Sequence, residues 1–134
     1  MKKITCQDIR DALKFKLNLI KPNRIWLFDK HYCAVNKDEF EDILKDIEPI
    51  RVEYKTELFD CEDYAHVISA FVKLKAASSY PFGIAFGEIT GRDSVFGNIH
   101  TLNFLITEDK NAIYFEPMDM KFIEDKYDPF YARI

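Results

Sequence analysis

The stretch Phe59-Asp60-Cys61-Glu62-Asp63-Tyr64-Ala65 decides the fold predicted for this chain of 134 residues. Asp60 is a residue type that caps helices well, and from Cys61 onward apolar residues recur at the spacing of a buried helix face. The pattern therefore predicts a largely buried helix over 61–76. A cysteine in the first turn of a helix lies where the dipole and the free N–H groups favour a thiolate.

A histidine and a carboxylate follow this helix in a chemically meaningful order. His100 opens a predicted strand over 100–107, and Glu116 ends the next predicted strand, just before Pro117. An imidazole beside a thiol lowers the thiol pKa, and a carboxylate behind the imidazole fixes its tautomer and orientation. The residues thus make Cys61 a candidate nucleophile, His100 a candidate general base and Glu116 one candidate for the orienting group.

Other residues compete for these roles. A four-residue turn over 108–111 would place Asp119 opposite His100, which makes Asp119 an alternative orienting group. Asn103 suits either a hydrogen bond near the site or a structural role. Cys61 itself is also compatible with a buried structural cysteine, because free cysteines are often buried.

The order of predicted elements indicates an α+β fold. Helices come first, strands later, and no linker or repeat divides the chain, so a single domain over 1–134 is expected. The predicted helices are 6–19, 37–46 and 61–76, and the predicted strands are 24–28, 31–35, 82–89, 100–107, 112–116 and 120–123.

Composition and charge limit the kinds of binding partner expected for this chain. The net charge is −4 with acidic and basic residues interspersed, so the chain has no basic stripe for nucleic acid. No apolar run approaches the roughly 20 residues that span a membrane. Three cysteines are an odd number, which argues against a disulfide framework and favours a cytoplasmic location. His31 and Cys33 lack the spacing of a metal site, so neither a metal nor another cofactor is expected.

The motif around Cys61 resembles the Asp-Cys-Glu/Asp-Asp-Tyr/Phe-Ala signature of bacterial transglutaminase-like cysteine proteinases and related small phage proteins. The segment His100-Thr101-Leu102-Asn103 is similar to the His-Ala-x-Asn strand of that family, and Glu116-Pro117 falls where the family carries Asp-Pro. The resemblance covers about 54–120. It implies a papain-like core with a central, N-terminally capped Cys helix on an antiparallel sheet.

The function implied by this resemblance is a cysteine-dependent hydrolase or acyltransferase. It would act on an amide or isopeptide bond of a protein or peptide substrate through Cys61, His100 and Glu116. The alternative is a catalytically inactive papain-like binding domain, such as a phage or prokaryotic accessory or inhibitor protein with a protein partner. Glu in place of Asp and the weakness of Tyr54 as a second oxyanion donor favour the alternative, whereas the complete Cys-His-acid order favours the enzyme.

Overall fold

A computed structural model describes residues 3–13, 25–27, 29–47, 53, 55, 58–76, 80–89, 99–124 and 126–134. Three helices and eight strands are present in these ranges. In chain order they are β1 (Lys3–Thr5), α1 (Cys6–Leu13), β2 (Ile25–Trp26), β3 (His31–Cys33), α2 (Lys37–Lys45), α3 (Cys61–Ala76), β4 (Phe82–Ile89), β5 (Ile99–Ile106), β6 (Ala112–Glu116), β7 (Lys121–Ile123) and β8 (Tyr127–Arg133). The predicted continuation of the first helix to residue 19 lies outside the described residues.

A six-stranded sheet with the order β2-β8-β4-β5-β6-β7 organises the described structure. Its neighbouring strands are antiparallel, except for β2, which pairs with β8 in parallel. The strands β1 and β3 form a separate antiparallel pair. Along β5, every residue from Thr101 to Ile106 is buried, as expected for a strand that is covered on both faces.

Two hydrophobic cores lie on opposite faces of this sheet. One joins Leu102, Phe104 and Ile106 of β5 to the side chains of β1, α1 and β3. The other joins Phe82 and Leu105 to the apolar faces of α2 and α3. Because alternate residues of a strand point to opposite faces, the two sets interleave along β4 and β5. The sheet is therefore the middle layer of the fold.

The prediction of an α+β papain-like core around a central Cys helix is wrong. The helix α3 spans the predicted residues, but it lies on one face of a predominantly antiparallel sheet, and the sheet is the centre of the fold. Pattern analysis missed β8 because Pro129 interrupts its sequence, and proline normally argues against an interior strand. In the structure Pro129 lies at an irregularity between β4 and β8.

This irregularity is a β-bulge, and it lies where β8 approaches β4 closely. The register shifts between Phe86 and Gly87, so that Phe86 pairs with Tyr131 while Gly87 pairs with Pro129 and Phe130 is left over. A Cβ on Gly87 would lie 2.2 Å from the carbonyl oxygen of Asp128 and 2.6 Å from Cα of Pro129. Only glycine permits this approach without displacement of the backbone.

We expect Gly87→Ala to lower the free energy of unfolding by about 3 kcal/mol, because the added methyl group overpacks the β4–β8 contact. Urea unfolding followed by circular dichroism measures this loss. The control is Cys33→Ala, which truncates a half-buried side chain of β3 in the separate β1–β3 pair. A Gly87→Ala protein as stable as the control variant would show that the bulge tolerates a side chain.

Candidate functional site

Backbone contacts at the start of α3 hold Cys61 in its first turn. The carbonyl oxygen of Asp60 accepts a hydrogen bond from the N–H of Tyr64 at 3.1 Å. A carboxylate oxygen of Asp63 accepts one from the N–H of Asp60, also at 3.1 Å. Asp63 therefore closes the helix start, whereas one carboxylate oxygen of Asp60 is buried with no hydrogen bond in the described part of the chain.

Cys61, His100 and Glu116 come together at the point where this helix meets the sheet. The Nε2 atom of His100 lies 2.5 Å from a carboxylate oxygen of Glu116, and the imidazole also hydrogen-bonds the sulfur of Cys61. Glu116 is buried, and its other oxygen accepts a hydrogen bond from the N–H of Met118 at 3.2 Å. Since Nε2 is engaged by Glu116, Nδ1 remains for the sulfur. The carboxylate is thus fixed from both sides and orients the ring.

The electrostatics of this arrangement favour a thiolate beside an imidazolium. Burial raises the pKa of Cys61, but hydrogen bonds to the sulfur from His100 and from Thr101 outweigh it and leave the thiol pKa below its ordinary value. Burial also lowers the pKa of His100, but hydrogen bonds with Cys61 and Glu116 and their negative charges raise it to about 9. Both shifts favour a proton on the ring over a proton on the sulfur.

Thr101 is a donor to the sulfur that sequence analysis missed. Its N–H and its hydroxyl both face Cys61. The side chain is buried, and the described residues give its hydroxyl no hydrogen bond of full geometry, although it lies near enough to the sulfur to lower the thiol pKa. The only pattern that pointed to Thr101 is its position directly after His100, on the opposite face of the same strand.

Tyr127 was also missed, because it lies on the unpredicted strand β8. Its hydroxyl group contacts the carbonyl oxygens of His100 at 2.7 Å and Ala85 at 3.0 Å. Burial raises the pKa of this tyrosine, so the hydroxyl stays protonated and remains a donor at neutral pH. The backbone of His100 is consequently anchored across β4, β5 and β8.

Acidic neighbours oppose the thiolate. The ligand-type atoms of Asp60, Cys61 and Glu62 all lie within 4.8 Å of one another. Burial, followed by the negative charges of Asp60 and Asp63, raises the pKa of Glu62. The lowered pKa of Cys61 shows that His100 and Thr101 outweigh this repulsion.

Asp119 does not reach His100. It is exposed in the turn after β6, because the β5–β6 connection contains one residue more than the predicted four. Thr107 belongs to this turn, where its N–H donates to the carbonyl oxygen of Asn111 at 2.9 Å. The extra residue shifts the pairing so that Ile106, not Thr107, faces Ala112. Such a one-residue slip moves a side chain to the other face of a sheet.

The remaining candidate residues have other positions. Asn103 is fully buried and donates from its amide nitrogen to the carbonyl oxygens of Ala65 at 2.9 Å and Gly83 at 3.1 Å, so it joins α3 to β4. Tyr54 lies outside the described residues. Cys6, Cys33 and Cys61 are all free thiols. Within the described ranges, no helix has the length and apolar character that crossing a membrane requires.

Comparison with known proteins places the chain in a family. A family model described as Agglutinin C-terminal matches residues 32–122, which is more than half of the chain. The chain therefore belongs to the agglutinin C-terminal family. No curated protein matches it.

Two solved structures share this fold. A complex of PSL1a with E64 has a TM-score of 0.75 and 18% sequence identity, and the match covers 98% of this chain and 51% of that one. A Polyporus squamosus lectin bound to the human-type influenza-binding epitope Neu5Acα2-6Galβ1-4GlcNAc has a TM-score of 0.70 and 19% identity, covering 98% and 49%. This chain thus spans about half the length of either neighbour.

The family corrects the assignment made from the Cys61 motif. The assignment of the chain to the transglutaminase-like or papain-like proteinases, and with it the prediction of a cysteine-dependent hydrolase or acyltransferase, is wrong, since residues 32–122 match the agglutinin C-terminal family instead. The physical reason is that a Cys-His-carboxylate order recurs on unrelated folds. The alternative prediction of a binding domain fits the family better, although it did not anticipate a lectin.

The thiol and imidazole have opposite effects on the pH dependence of stability. The raised pKa of His100 stabilises the fold below its ordinary value of 6.5, and this contribution is lost as pH rises towards about 9. The lowered pKa of Cys61 contributes above the ordinary value of 9.0, and this contribution is lost as pH falls through the folded pKa. At pH values where the folded protein has both the thiolate and the imidazolium, it carries the one proton of this pair on the His100 ring. The unfolded chain, whose histidine is neutral there, carries that proton on the Cys61 sulfur. Folding then exchanges no net proton at this pair.

The variant Cys61→Ser should show how His100 alone affects the pH dependence of stability. We expect the free energy of unfolding of this variant to fall as pH rises above 6.5, by about 1.4 kcal/mol for each pKa unit by which Glu116 still raises His100. The wild type should decline less steeply, because the lowered pKa of Cys61 offsets part of this loss. Urea unfolding at several pH values from 6 to about 9 compares them, with Cys33→Ser as the control. Parallel curves for Cys61→Ser and the wild type would contradict the ion pair.

Proposed function

We propose that this chain acts as a ligand-binding domain of the agglutinin type, with a glycan as its ligand rather than a protein or peptide substrate. The observation that carries the proposal is the match of residues 32–122 to the agglutinin C-terminal family. The lectin neighbour, which is bound to a sialylated epitope, supports a carbohydrate as the ligand class.

A cavity of about 580 Å³ between α2 and β7 suits such a ligand. Lys37, Lys45 and Lys121 line it together with Glu41, and Phe122 contributes an aromatic wall. The ammonium group of Lys37 lies 5.3 Å from the centroid of the Phe122 ring. A mixed rim of cations and a carboxylate above an apolar wall offers partners for sugar hydroxyls and for the carboxylate of a sialic acid.

We expect the chain to bind Neu5Acα2-6Galβ1-4GlcNAc more tightly than Galβ1-4GlcNAc, because only the former carries a carboxylate for the lysines. Lys121→Gln should weaken binding of the sialylated trisaccharide by about fivefold, as expected for one partly exposed charge contact of about 1 kcal/mol. Isothermal titration calorimetry measures both. The matched control is Lys73→Gln, an exposed lysine of α3 outside this cavity.

Two results would count against the glycan proposal. If the chain binds neither oligosaccharide, a glycan is not its ligand. If Lys121→Gln and Lys73→Gln weaken binding equally, the α2–β7 cavity is not the binding site.

A second function is favoured by the contacts of His100 with Cys61 and Glu116. We infer that Cys61 is a nucleophilic thiol that forms covalent bonds with electrophilic ligands. Attack by the thiolate on an epoxide forms a C–S bond and breaks a C–O bond, and the His100 imidazolium can donate the proton that the ring oxygen needs. A thiol of this kind requires a reducing compartment, so a cytoplasmic location is part of this proposal.

Labelling with iodoacetamide tests this reactivity directly, since the reaction forms a C–S bond and releases iodide. At about pH 6 we expect Cys61 to react at least about tenfold faster than Cys6 and Cys33, because the His100 imidazole beside its sulfur lowers the thiol pKa. His100→Gln should remove most of this advantage, whereas His31→Gln, at an exposed histidine of β3, should not. Peptide mass spectrometry assigns the rates. Equal rates at all three cysteines would refute the inference.

A further inference from the structure

A cavity of about 340 Å³ lies between α3 and the strands β4 and β8. It shares no lining residue with the cavity between α2 and β7, and none of Cys61, His100 and Glu116 lines it. Its lining residues come from α3, from β4 and from the end of β8: His66, Ser69, Ala70, Lys73, Ile84, Arg133 and Ile134. The helix residues recur at the spacing of neighbours on one helix face, so they lie on the same side of α3. This space is called the basic cavity below.

Positive charge prevails around the basic cavity. Lys73 and Arg133 contribute two cations, and no described lining residue has an acidic side chain. In the ranges that the structure describes, neither cation forms an ion pair, and the backbone carboxylate of Ile134 makes none either. The whole chain has a net charge of −4, so this excess of positive charge is local. Two cations that share a cavity without a counter-ion attract an anion.

The ring of His66 holds the guanidinium of Arg133 in place. Nδ1 of His66 lies 2.6 Å from the carbonyl oxygen of Glu62, which can only accept, so Nδ1 carries the proton. Nε2 contacts Nη2 of Arg133, which can only donate, so Nε2 accepts and the ring is neutral. The backbone of Arg133 is fixed as well, because it pairs with Ile84 in the sheet. A side chain held in this way loses less entropy when a ligand binds.

We propose that the basic cavity binds the phosphate group of a small phosphorylated molecule. The planar fork of N–H donors on Arg133 matches two oxygens of a phosphate, and Lys73 adds a point charge. Ser69, which is buried at the same cavity, offers a hydroxyl as a further donor. A phosphate ester carries nearly two negative charges at neutral pH, which suits two cations better than a carboxylate does.

The volume of the basic cavity favours an ester over free phosphate. Small-molecule sites span roughly 300–1,000 Å³, and this cavity lies at the lower end of that range. It therefore has room for a group of about monosaccharide size beside the phosphate. Ile84 and Ala70 provide apolar surface for the carbon skeleton of that group. The proposal depends on neither the glycan function nor the thiol function, because the three sites share no lining residue.

Nuclear magnetic resonance titrations of the ¹⁵N-labelled chain test the site with three probes: glucose 6-phosphate, inorganic phosphate and glucose. At about pH 7.5 both phosphates are mostly dianionic. Sodium chloride keeps the ionic strength constant, because salt screens exposed charges. We expect glucose 6-phosphate to shift the amide signals of Ser69, Lys73 and Ile84 but not those of Lys121 and Phe122. Inorganic phosphate should shift the same signals and bind about threefold more weakly, and glucose should shift none.

Variants of the two cations test which groups hold the phosphate. Arg133→Gln should weaken binding of glucose 6-phosphate about tenfold, and Lys73→Gln about fivefold, because the former removes the fork and the latter an exposed point charge. Arg133→Lys should retain part of the affinity, since it keeps the charge without the fork. The matched control is Lys121→Gln, at a lysine of β7 that lines the other cavity. The amide spectrum of each variant shows whether it is folded.

Three results would overturn the proposal. If glucose 6-phosphate shifts no signal around the basic cavity, or if Arg133→Gln and Lys121→Gln weaken its binding equally, the cavity is not a phosphate site. If inorganic phosphate binds as tightly as glucose 6-phosphate, the ligand is the free anion and not a phosphorylated molecule. Lys73→Gln and Lys121→Gln exchange the roles of test and control between this titration and the one with the sialylated trisaccharide. Failure of either site is therefore visible separately.

Discussion

The close approach of β8 to β4 is the constraint on which the described fold depends. At Gly83 an added Cβ would lie 2.1 Å from the carbonyl oxygen of Arg133, and at Gly87 it would meet Asp128 and Pro129 in a similar way. Because these two residues are glycines, β8 can pair with β4 at this short distance, and β4 in turn pairs with β5. Tyr127 then reaches from β8 to the backbone of His100. The histidine is thus held in place by a strand with which its own strand does not pair.

The site combines this rigid support with a local balance of charge. His100 is stabilised as an imidazolium by a buried carboxylate on one side and the sulfur on the other. The N–H and the hydroxyl of Thr101 also favour the thiolate, and they offset part of the desolvation that opposes a buried negative charge. The thiol site and the proposed glycan site lie in different parts of the molecule. None of Cys61, His100 and Glu116 lines the cavity between α2 and β7.

Local features were predictable from the sequence, whereas long-range ones were not. The helix from Cys61 to Ala76 follows from apolar spacing within one segment, and the Asn36–Glu39 capping box of α2 is equally local. The strand β8 escaped detection, since Pro129 is tolerated only because a distant glycine accommodates the bulge. The rival role of Asp119 depended on a turn length that Thr107 altered through its bond with Asn111. The family was not predicted, because the seven-residue motif from Phe59 to Ala65 indicates which reactive groups are present but not how the strands are connected.

Asn103 gives the site a mechanical property. A helix on a sheet can in principle slide along it by small steps, since apolar contacts are not directional. The amide of Asn103 bonds to a carbonyl of α3 and to one of β4 at the same time, so it acts as a pin that sets the position of the helix along its axis. The separation between sulfur and imidazole is therefore governed by a residue that touches neither group. A shift of α3 along the sheet at Asn103 would change the distance between the sulfur and the imidazole, and with it the pKa of the thiol, without any change to Cys61, His100 or Glu116.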